Sequence, residues 1–92
     1  MATTPLEEQD LNVEVVTREP AKVILFNDDI HTFEEVITQL MKALRCAEGK
    51  AEALALEAHT QGKAVVFSGE LLRCMEVSHI LEEIRLMTQI EV

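Results

Sequence analysis

A short polar cluster follows the first strongly apolar run of the chain, in the stretch VILFNDDIHTFEE. It contains an amide and two adjacent carboxylates, Asn27, Asp28 and Asp29, followed by the imidazole of His31. A second imidazole, His59, stands at the end of a later alanine-rich segment. An amide oxygen, a carboxylate and a neutral imidazole nitrogen are all hydrogen-bond acceptors. Together they could accept the three donors of a primary ammonium group, with charge assistance from the carboxylate.

An apolar pocket beside this cluster would suit the group that carries such an ammonium. Free α-amino groups have a pKa of about 7.7–8.0, so most are cationic near neutral pH. An ammonium next to a bulky apolar side chain describes the first residue of a peptide. We expect His59 to be neutral in the bound state, because an imidazolium would repel the ammonium. The apolar positions expected around the first side chain are Phe33, Val36, Ala55 and Ala58.

Other interpretations of the same residues stay open. Asn27 to Asp29 could form an Asx turn that leads into a helix, and His59 could stabilise a helix C-terminus through the dipole. The carboxylates and imidazoles could instead supply oxygen and nitrogen ligands to a metal ion, but no HExxH and no Cys/His cluster at zinc spacing occurs. A hydrolase is disfavoured, because the serine of FSGE has no partner base in register.

Periodicity predicts the elements that would position the first cluster. KVILFN, residues 22–27, is rich in β-branched residues and predicts a strand. Thr32 offers an N-cap, and Glu35 completes a capping box. The apolar residues that follow recur at helical spacing and predict an amphipathic helix ending near Arg45.

The second half of the chain predicts two further helices and two strands. AEALALEAHT predicts a helix, with Gly62 just past its C-terminus. KAVVF, residues 63–67, predicts a strand, and Ser68 is the expected N-cap of a helix over 71–87. TQIEV, residues 88–92, predicts a short third strand. The expected buried side of the third helix contains Leu72, Met75, Ile80, Ile84 and Met87.

The order β-α-α-β-α-β predicts an α/β two-layer sandwich, with a three-stranded antiparallel sheet and helices on one face. If the first two helices pack as an antiparallel pair, the start of the first approaches the end of the second. Asn27, Asp28 and His59 would then meet at one end of that pair.

Length and charge limit the classes of function. The chain has 92 residues, a length that fits one domain. Its formal net charge of −9 argues against binding to nucleic acid or to an anionic membrane surface.

Cys46 and Cys74 lack CxxC spacing and are expected as reduced, packed thiols. No signal peptide or membrane-spanning run is recognisable, so a cytoplasmic protein is expected. Residues 1–20 are polar and acidic and predict a flexible N-terminal arm, with one possible edge strand over 11–15.

Two motifs together resemble the ClpS adaptor family. VILFNDD, a capped helix and HTQGKAVVF follow one another over about residues 21–70, with the matching spacing from Asn27 to His59. Members of this family deliver N-end-rule substrates to a Clp unfoldase–protease. The resemblance implies a ClpS-like core domain over 21–92 behind the arm, with no covalent chemistry, no enzyme activity and no cofactor.

The resemblance also implies roles for individual residues. Asn27, Asp28 and His59 match the residues that hold the substrate α-amino group, partly through water. Asp29 completes the motif and shapes the loop. Glu70 matches an acidic residue that docks on the N-terminal domain of the unfoldase. The implied pocket for the first side chain consists of His31, at a rim position that is usually threonine, and Phe33, Val36, Ala55, Ala58 and Ile90.

The implied partners are a Clp-family AAA+ unfoldase and substrate proteins that begin with Phe, Tyr, Trp or Leu; a monomer is expected. Some positions depart from the family pattern. Phe33 stands where methionine is common, and Ala55 and Ala58 are smaller than the usual methionine and valine. Met75 stands where a docking lysine is frequent. A rival hypothesis is therefore a ClpS-like interaction protein with an altered pocket or docking partner and no general N-degron recognition.

Overall fold

The structure is a computed structural model that describes residues 20–92. The order β-α-α-β-α-β and the three-stranded antiparallel sheet agree with the prediction. The predicted arm, except for Pro20, and its possible edge strand lie outside the described residues. The elements are β1 (Ala21–Phe26), α1 (Phe33–Leu44), α2 (Glu48–Gln61), β2 (Lys63–Gly69), α3 (Leu71–Glu82) and β3 (Thr88–Glu91).

The sheet has the order β2-β1-β3, so β1 is its central strand and pairs antiparallel with both neighbours. In β1, Val23 and Leu25 are buried in the core. In β2, buried Ala64 and Val66 alternate with exposed positions such as Val65. Since successive side chains of a strand point to opposite faces, this alternation is that of a sheet covered by helices on one face.

The ends of α1 and α2 follow local sequence signals. Thr32 Oγ1 accepts the Glu35 N–H (3.1 Å), and a Glu35 carboxylate oxygen accepts the Thr32 N–H (2.8 Å). This is the predicted capping box. Arg45 ends α1 in the left-handed conformation, with φ of 55°. Gly62 ends α2 at φ of 90°, a conformation that glycine adopts without a steric penalty from a Cβ.

The prediction for the start and end of α3 is wrong. Ser68 lies within β2, where it pairs with Lys22, and the N-cap of α3 is Glu70, which makes no side-chain capping bond. The helix ends at Glu82 rather than at residue 87. The chain then turns through Arg85, whose φ of 67° cannot continue a right-handed helix.

The predicted buried side of α3 is wrong for Leu72, Met75 and Met87. Its buried residues are Cys74, Val77, Ser78 and Leu81. Leu72 and Met75 lie on the exposed side and Met87 is exposed beyond the helix, while Ile80 and Ile84 are partly buried against the core. Met87 was included because the predicted helix extends to residue 87, whereas Leu72 and Met75 are apolar residues that α3 leaves exposed.

The core joins the sheet to all three helices. Its most completely buried side chains come from β1, α1 and α3 and include Leu25, Leu40 and Leu81. Cys74 belongs to this core, and no disulfide joins the described cysteines. None of the helices within residues 20–92 is long and apolar enough to cross a membrane.

Candidate functional site

A cavity of about 530 Å³ opens where β1 ends. Its polar lining comes from the β1–α1 loop and from the last turn of α2. Its apolar lining comes from α1, α2 and the segment before β3. The predicted site residues on this lining are Asn27, Asp28, Asp29, His31, Phe33, Val36, Ala55, Ala58 and His59.

One backbone hydrogen bond brings the two halves of the polar lining together. The Asn27 N–H donates to the Gly62 carbonyl (3.0 Å), while the Gly62 N–H donates to the Ala58 carbonyl (2.9 Å). The end of β1 is thereby fixed beside the C-terminus of α2. His59 stands three residues before Gly62 and therefore lines the same cavity as Asn27. The side chains of Asn27 and His59 are both exposed to solvent.

Asp28 organises the loop between β1 and α1. Its Oδ1 accepts the N–H groups of Ile30 and His31, each at 3.0 Å, which forms an Asx turn. Its Oδ2 lies 2.7 Å from His31 Nδ1. An ionised carboxylate offers about four lone-pair positions. Three are used within the protein, so Asp28 keeps one acceptor for a ligand.

His31 connects this loop to the segment that precedes β3. Its Nε2 contacts the carbonyl oxygen of Ile84, and its Nδ1 contacts Asp28. A carbonyl and an ionised carboxylate only accept hydrogen bonds. Both ring nitrogens must therefore donate, so the geometry is that of an imidazolium. The His31 side chain is 11% exposed and that of Asp28 is 22% exposed.

The same contacts raise the pKa of His31 and lower the pKa of Asp28. The hydrogen bond to Asp28, and next the one to the Ile84 carbonyl, raise the pKa of His31 above its ordinary value. Burial by itself would raise the pKa of Asp28, but hydrogen bonds from His31 and Ile30 outweigh it and lower that pKa. Both shifts favour the charged forms, an imidazolium beside a carboxylate.

The apolar lining contains four residues that the sequence analysis missed: Leu25 and Phe26 at the end of β1, Leu56 on α2, and Leu86 before β3. Leu86 is 3% exposed and Leu56 is 52% exposed, and both line the cavity. Leu56 follows Ala55 directly on α2, so helical periodicity could have placed it at the rim. Leu86 had no usable signal, because it was assigned to the interior of a helix that actually ends at Glu82.

Ile90 does not line the cavity, contrary to the expectation. It pairs with Val23 and packs partly buried against the core. Val23 lies toward the start of β1, whereas the cavity lies at Leu25 and Phe26. Leu86 therefore stands on the lining where Ile90 was expected. Glu70 is exposed at the start of α3 and is not part of the cavity either.

The arrangement speaks against the metal-site interpretation. Within residues 20–92, no group of three or more His, Cys, Asp or Glu side chains converges as metal ligands would. Both ring nitrogens of His31 already face oxygen atoms of the protein. What the cavity does combine is a set of acceptors at its polar end and an apolar wall of small and medium side chains.

Comparison with known proteins identifies related chains. A protein-family model described as ATP-dependent Clp protease adaptor protein ClpS matches residues 17–89. The ATP-dependent Clp protease adapter protein ClpS of Corynebacterium diphtheriae is 36% identical over 72 residues, which is 76% of this chain and 63% of that protein. The chain therefore spans slightly less than two thirds of that relative.

Two more distant comparisons extend this set. The E3 ubiquitin-protein ligase UBR2 of Homo sapiens is 33% identical over 58 residues, which is 63% of this chain but only 3% of that ligase. The solved structure of Agrobacterium tumefaciens ClpS2 bound to L-phenylalaninamide superposes with a TM-score of 0.74 at 26% identity. That match covers 79% of this chain and 95% of ClpS2.

Proposed function

This chain belongs to the ClpS adaptor family, and we propose that it binds the free α-amino group and bulky hydrophobic first residue of N-degron substrates. We further propose that it delivers these substrates to a Clp unfoldase–protease and has no enzymatic activity of its own. The observation that carries the proposal is one cavity with hydrogen-bond acceptors at one end and an apolar wall beside them.

The polar end suits an ammonium group. Asp28 supplies a carboxylate with one acceptor position left, and Asn27 and His59 supply an amide oxygen and an imidazole nitrogen on the same lining. The backbone around them is fixed by the bond from Asn27 to Gly62 and by the Asx turn. Acceptors held in place before the ligand arrives lose little conformational freedom on binding, which favours affinity.

The apolar wall suits a large first side chain. Ala55 and Ala58 are buried and small, so they leave space between α2 and the β1–α1 loop. Phe33 is 39% exposed at the start of α1 and would cover part of a bound side chain. The related ClpS2 holds L-phenylalaninamide, which is a free amino group attached to an aromatic side chain. We expect Phe, Tyr, Trp and Leu to be accepted as first residues.

The proposed docking surface for the unfoldase lies on α3, away from the cavity. Glu70 is exposed at its N-terminus, and we propose that it contacts the N-terminal domain of a Clp-family AAA+ unfoldase. Leu72 and Met75 are exposed apolar side chains on the same helix. We place this activity in the cytoplasm and assign it to a monomer, without a cofactor, nucleic acid or membrane as partner.

Peptide binding tests the proposal. The Kd is measured for peptides that differ only in a first residue of Phe, Tyr, Trp, Leu, Ile or Ala. Bulky hydrophobic first residues should bind, and Ala should not. N-acetylation of the best peptide should abolish binding, because it removes the cation and two of its donors. An absence of preference for any bulky first residue would reject the proposed recognition.

A second candidate keeps the fold and docks on a different partner. It is favoured by Met75, which is 51% exposed at a position where a docking lysine is frequent in the family. Under this alternative the chain does not recognise N-degrons in general. Binding that is unchanged by N-acetylation, or docking on α3 of a partner that is not a Clp-family unfoldase, would support it over the first proposal.

A further inference from the structure

Within residues 20–92, the side-chain hydrogen bond of the cavity that joins the positions farthest apart in sequence is made by His31. Its Nε2 contacts the carbonyl of Ile84, which is 53 residues away in sequence, while its Nδ1 contacts Asp28. The ring thus joins the polar end of the cavity to the segment between α3 and β3. At 11% exposure, its side chain is largely withdrawn from water.

The segment that His31 holds contains a wall residue of the cavity. Leu86 follows Ile84 by two residues, is 3% exposed and lines the cavity. Arg85 between them has a left-handed backbone at φ of 67°, which turns the chain sharply. On the other side of Leu86, the Met87 carbonyl accepts the Phe26 N–H (3.0 Å). Leu86 is therefore held between two hydrogen bonds, one from His31 and one from Phe26.

We propose that His31, as the imidazolium, is a positioning residue that holds Leu86 in the cavity wall and thereby sets selectivity for the first side chain. This inference rests on the proposed recognition of N-terminal residues. His31 does not touch the ligand ammonium in this role, and it acts through the Ile84 carbonyl.

Loss of the proton from His31 opens one side of the bridge. A neutral imidazole has one N–H and one lone pair. The N–H stays on Asp28, because a hydrogen bond to a charged acceptor is the stronger one. The lone pair on Nε2 then faces the Ile84 carbonyl, and two acceptors repel. The segment around Leu86 keeps the bond from Phe26 and the one from the Arg85 N–H to the Glu82 carbonyl (2.9 Å) but loses its tie to the β1–α1 loop, and the wall loses part of its fixed shape.

Several other charged or titratable groups surround His31. Asp28 in the same loop and Glu35 in α1 both favour the imidazolium. Asp29, and His59 from α2, line the same cavity, and Arg85 adjoins Ile84. Titration of these groups and of the ligand ammonium changes the affinity of the protein for all peptides by the same factor, whatever their first residue. The ratio of two affinities removes these shared contributions.

The test measures that ratio as a function of pH. Two peptides that differ only in a first Phe or Leu are titrated against the full chain between about pH 5.5 and about pH 8.5, a range that brackets histidine titration. In the unmodified protein, the preference for Phe over Leu should fall about twofold to tenfold as pH rises, the effect of one hydrogen bond. His31→Gln should show the reduced preference at every pH. His79→Gln, on the exposed side of α3, removes a histidine outside the cavity and should keep the original profile.

A second measurement needs neither a variant nor a peptide. Ring ¹⁵N signals of His31 should report two protonated nitrogens at about pH 6, just below the ordinary histidine pKa. An unprotonated Nε2 there would overturn the inference. So would a Phe-to-Leu ratio at about pH 5.5, below the ordinary histidine pKa, that is the same in the unmodified protein and His31→Gln. Failure of both peptides to bind the unmodified protein contradicts the proposed function itself, whereas tight binding with a constant ratio contradicts only the role of His31.

Discussion

The chain passes from a strand to a helix twice, and the two connections are built differently. Between β1 and α1, Asp28 closes an Asx turn and Thr32 and Glu35 form a capping box. Between β2 and α3, a single residue, Glu70, makes the connection without a side-chain cap. The first connection lines the cavity, and the second lies outside it. The difference shows where side-chain hydrogen bonds are concentrated: at the loop that supplies the polar lining of the cavity.

The largest effect is expected at the residue that serves both the turn and the proposed ligand. Asp28→Ala removes the acceptor for two backbone N–H groups and the only carboxylate bonded to His31 within the described residues. We expect it to weaken binding of a Phe-first peptide by about 2–5 kcal/mol, the usual loss for one partner of a desolvated charged contact. Isothermal titration calorimetry measures this change.

Two controls separate charge from turn geometry at this position. Asp28→Asn keeps an oxygen for the turn but not the charge, so it should retain stability better than Asp28→Ala while still losing affinity. Glu57→Ala changes the net charge equally on an exposed part of α2 and should bind normally. Normal binding by Asp28→Ala would remove Asp28 from the proposed ammonium site.

The second-largest expected effect is on the pH dependence of stability, through the pair of Asp28 and His31. The raised pKa of His31 contributes stability below about pH 6.5, its ordinary value, and this is lost as pH rises through the folded pKa. The lowered pKa of Asp28 contributes stability above about pH 3.9, and this is lost as pH falls through the folded pKa. The pair therefore stabilises the fold most between about pH 4 and about pH 6.5.

Urea unfolding of His31→Gln tests this window. The variant should lose about 1.5–3 kcal/mol near pH 5.5, the range for a hydrogen bond to a charged group, and less at higher pH. His79→Gln should show no such pH dependence, because His79 is exposed on α3. An equal loss for His31→Gln at every pH would mean that the bridge does not depend on the charge of His31.

A smaller effect is expected at the helix cap of the first connection. Thr32→Ala should lower the free energy of unfolding by about 1 kcal/mol, because the Glu35 N–H loses its acceptor. Thr38→Ala, at an exposed position within α1, provides the matched control and should be neutral or slightly stabilising. Chemical denaturation measures both. A loss at Thr38 as large as the loss at Thr32 would show that removing a threonine side chain from this region is destabilising without any contribution from capping.

The smallest effect is expected at the second connection. Ser68→Ala should change the free energy of unfolding by no more than about 0.5 kcal/mol, since Ser68 is exposed in β2 and caps no helix. Thermal unfolding checks this value. A loss near that of Thr32→Ala would make the two connections equivalent and remove the contrast between them.

The sequence predicted those features that depend on neighbours along the chain. The Thr32 box, the Gly62 terminus and the order of helices and strands along the chain are local signals, and the structure has all of them. The placement of Asn27 and His59 on one cavity followed from the antiparallel packing of two adjacent helices. In each case the information lay within a short span of residues.

The features that were missed depend on distant parts of the chain. No periodicity links His31 to Ile84, because their contact depends on where α3 stops and how the chain turns at Arg85. The same turn moved Leu86 onto the cavity wall and left Ile90 to pair with Val23. Serine precedes many helices, and at Ser68 the pairing of β2 with β1 outweighed that preference.

The hydrogen bond from Asn27 to the Gly62 carbonyl has a consequence for amide hydrogen exchange. The side chain of Asn27 is exposed, yet its backbone N–H donates to the carbonyl of Gly62 at the end of α2 (3.0 Å). Exchange requires that bond to open, so the Asn27 amide should be protected like a strand residue rather than a loop residue. The amide of Asp29, in an exposed bend of the same loop, should exchange faster. A ligand would then meet an exposed carboxamide on an immobile backbone.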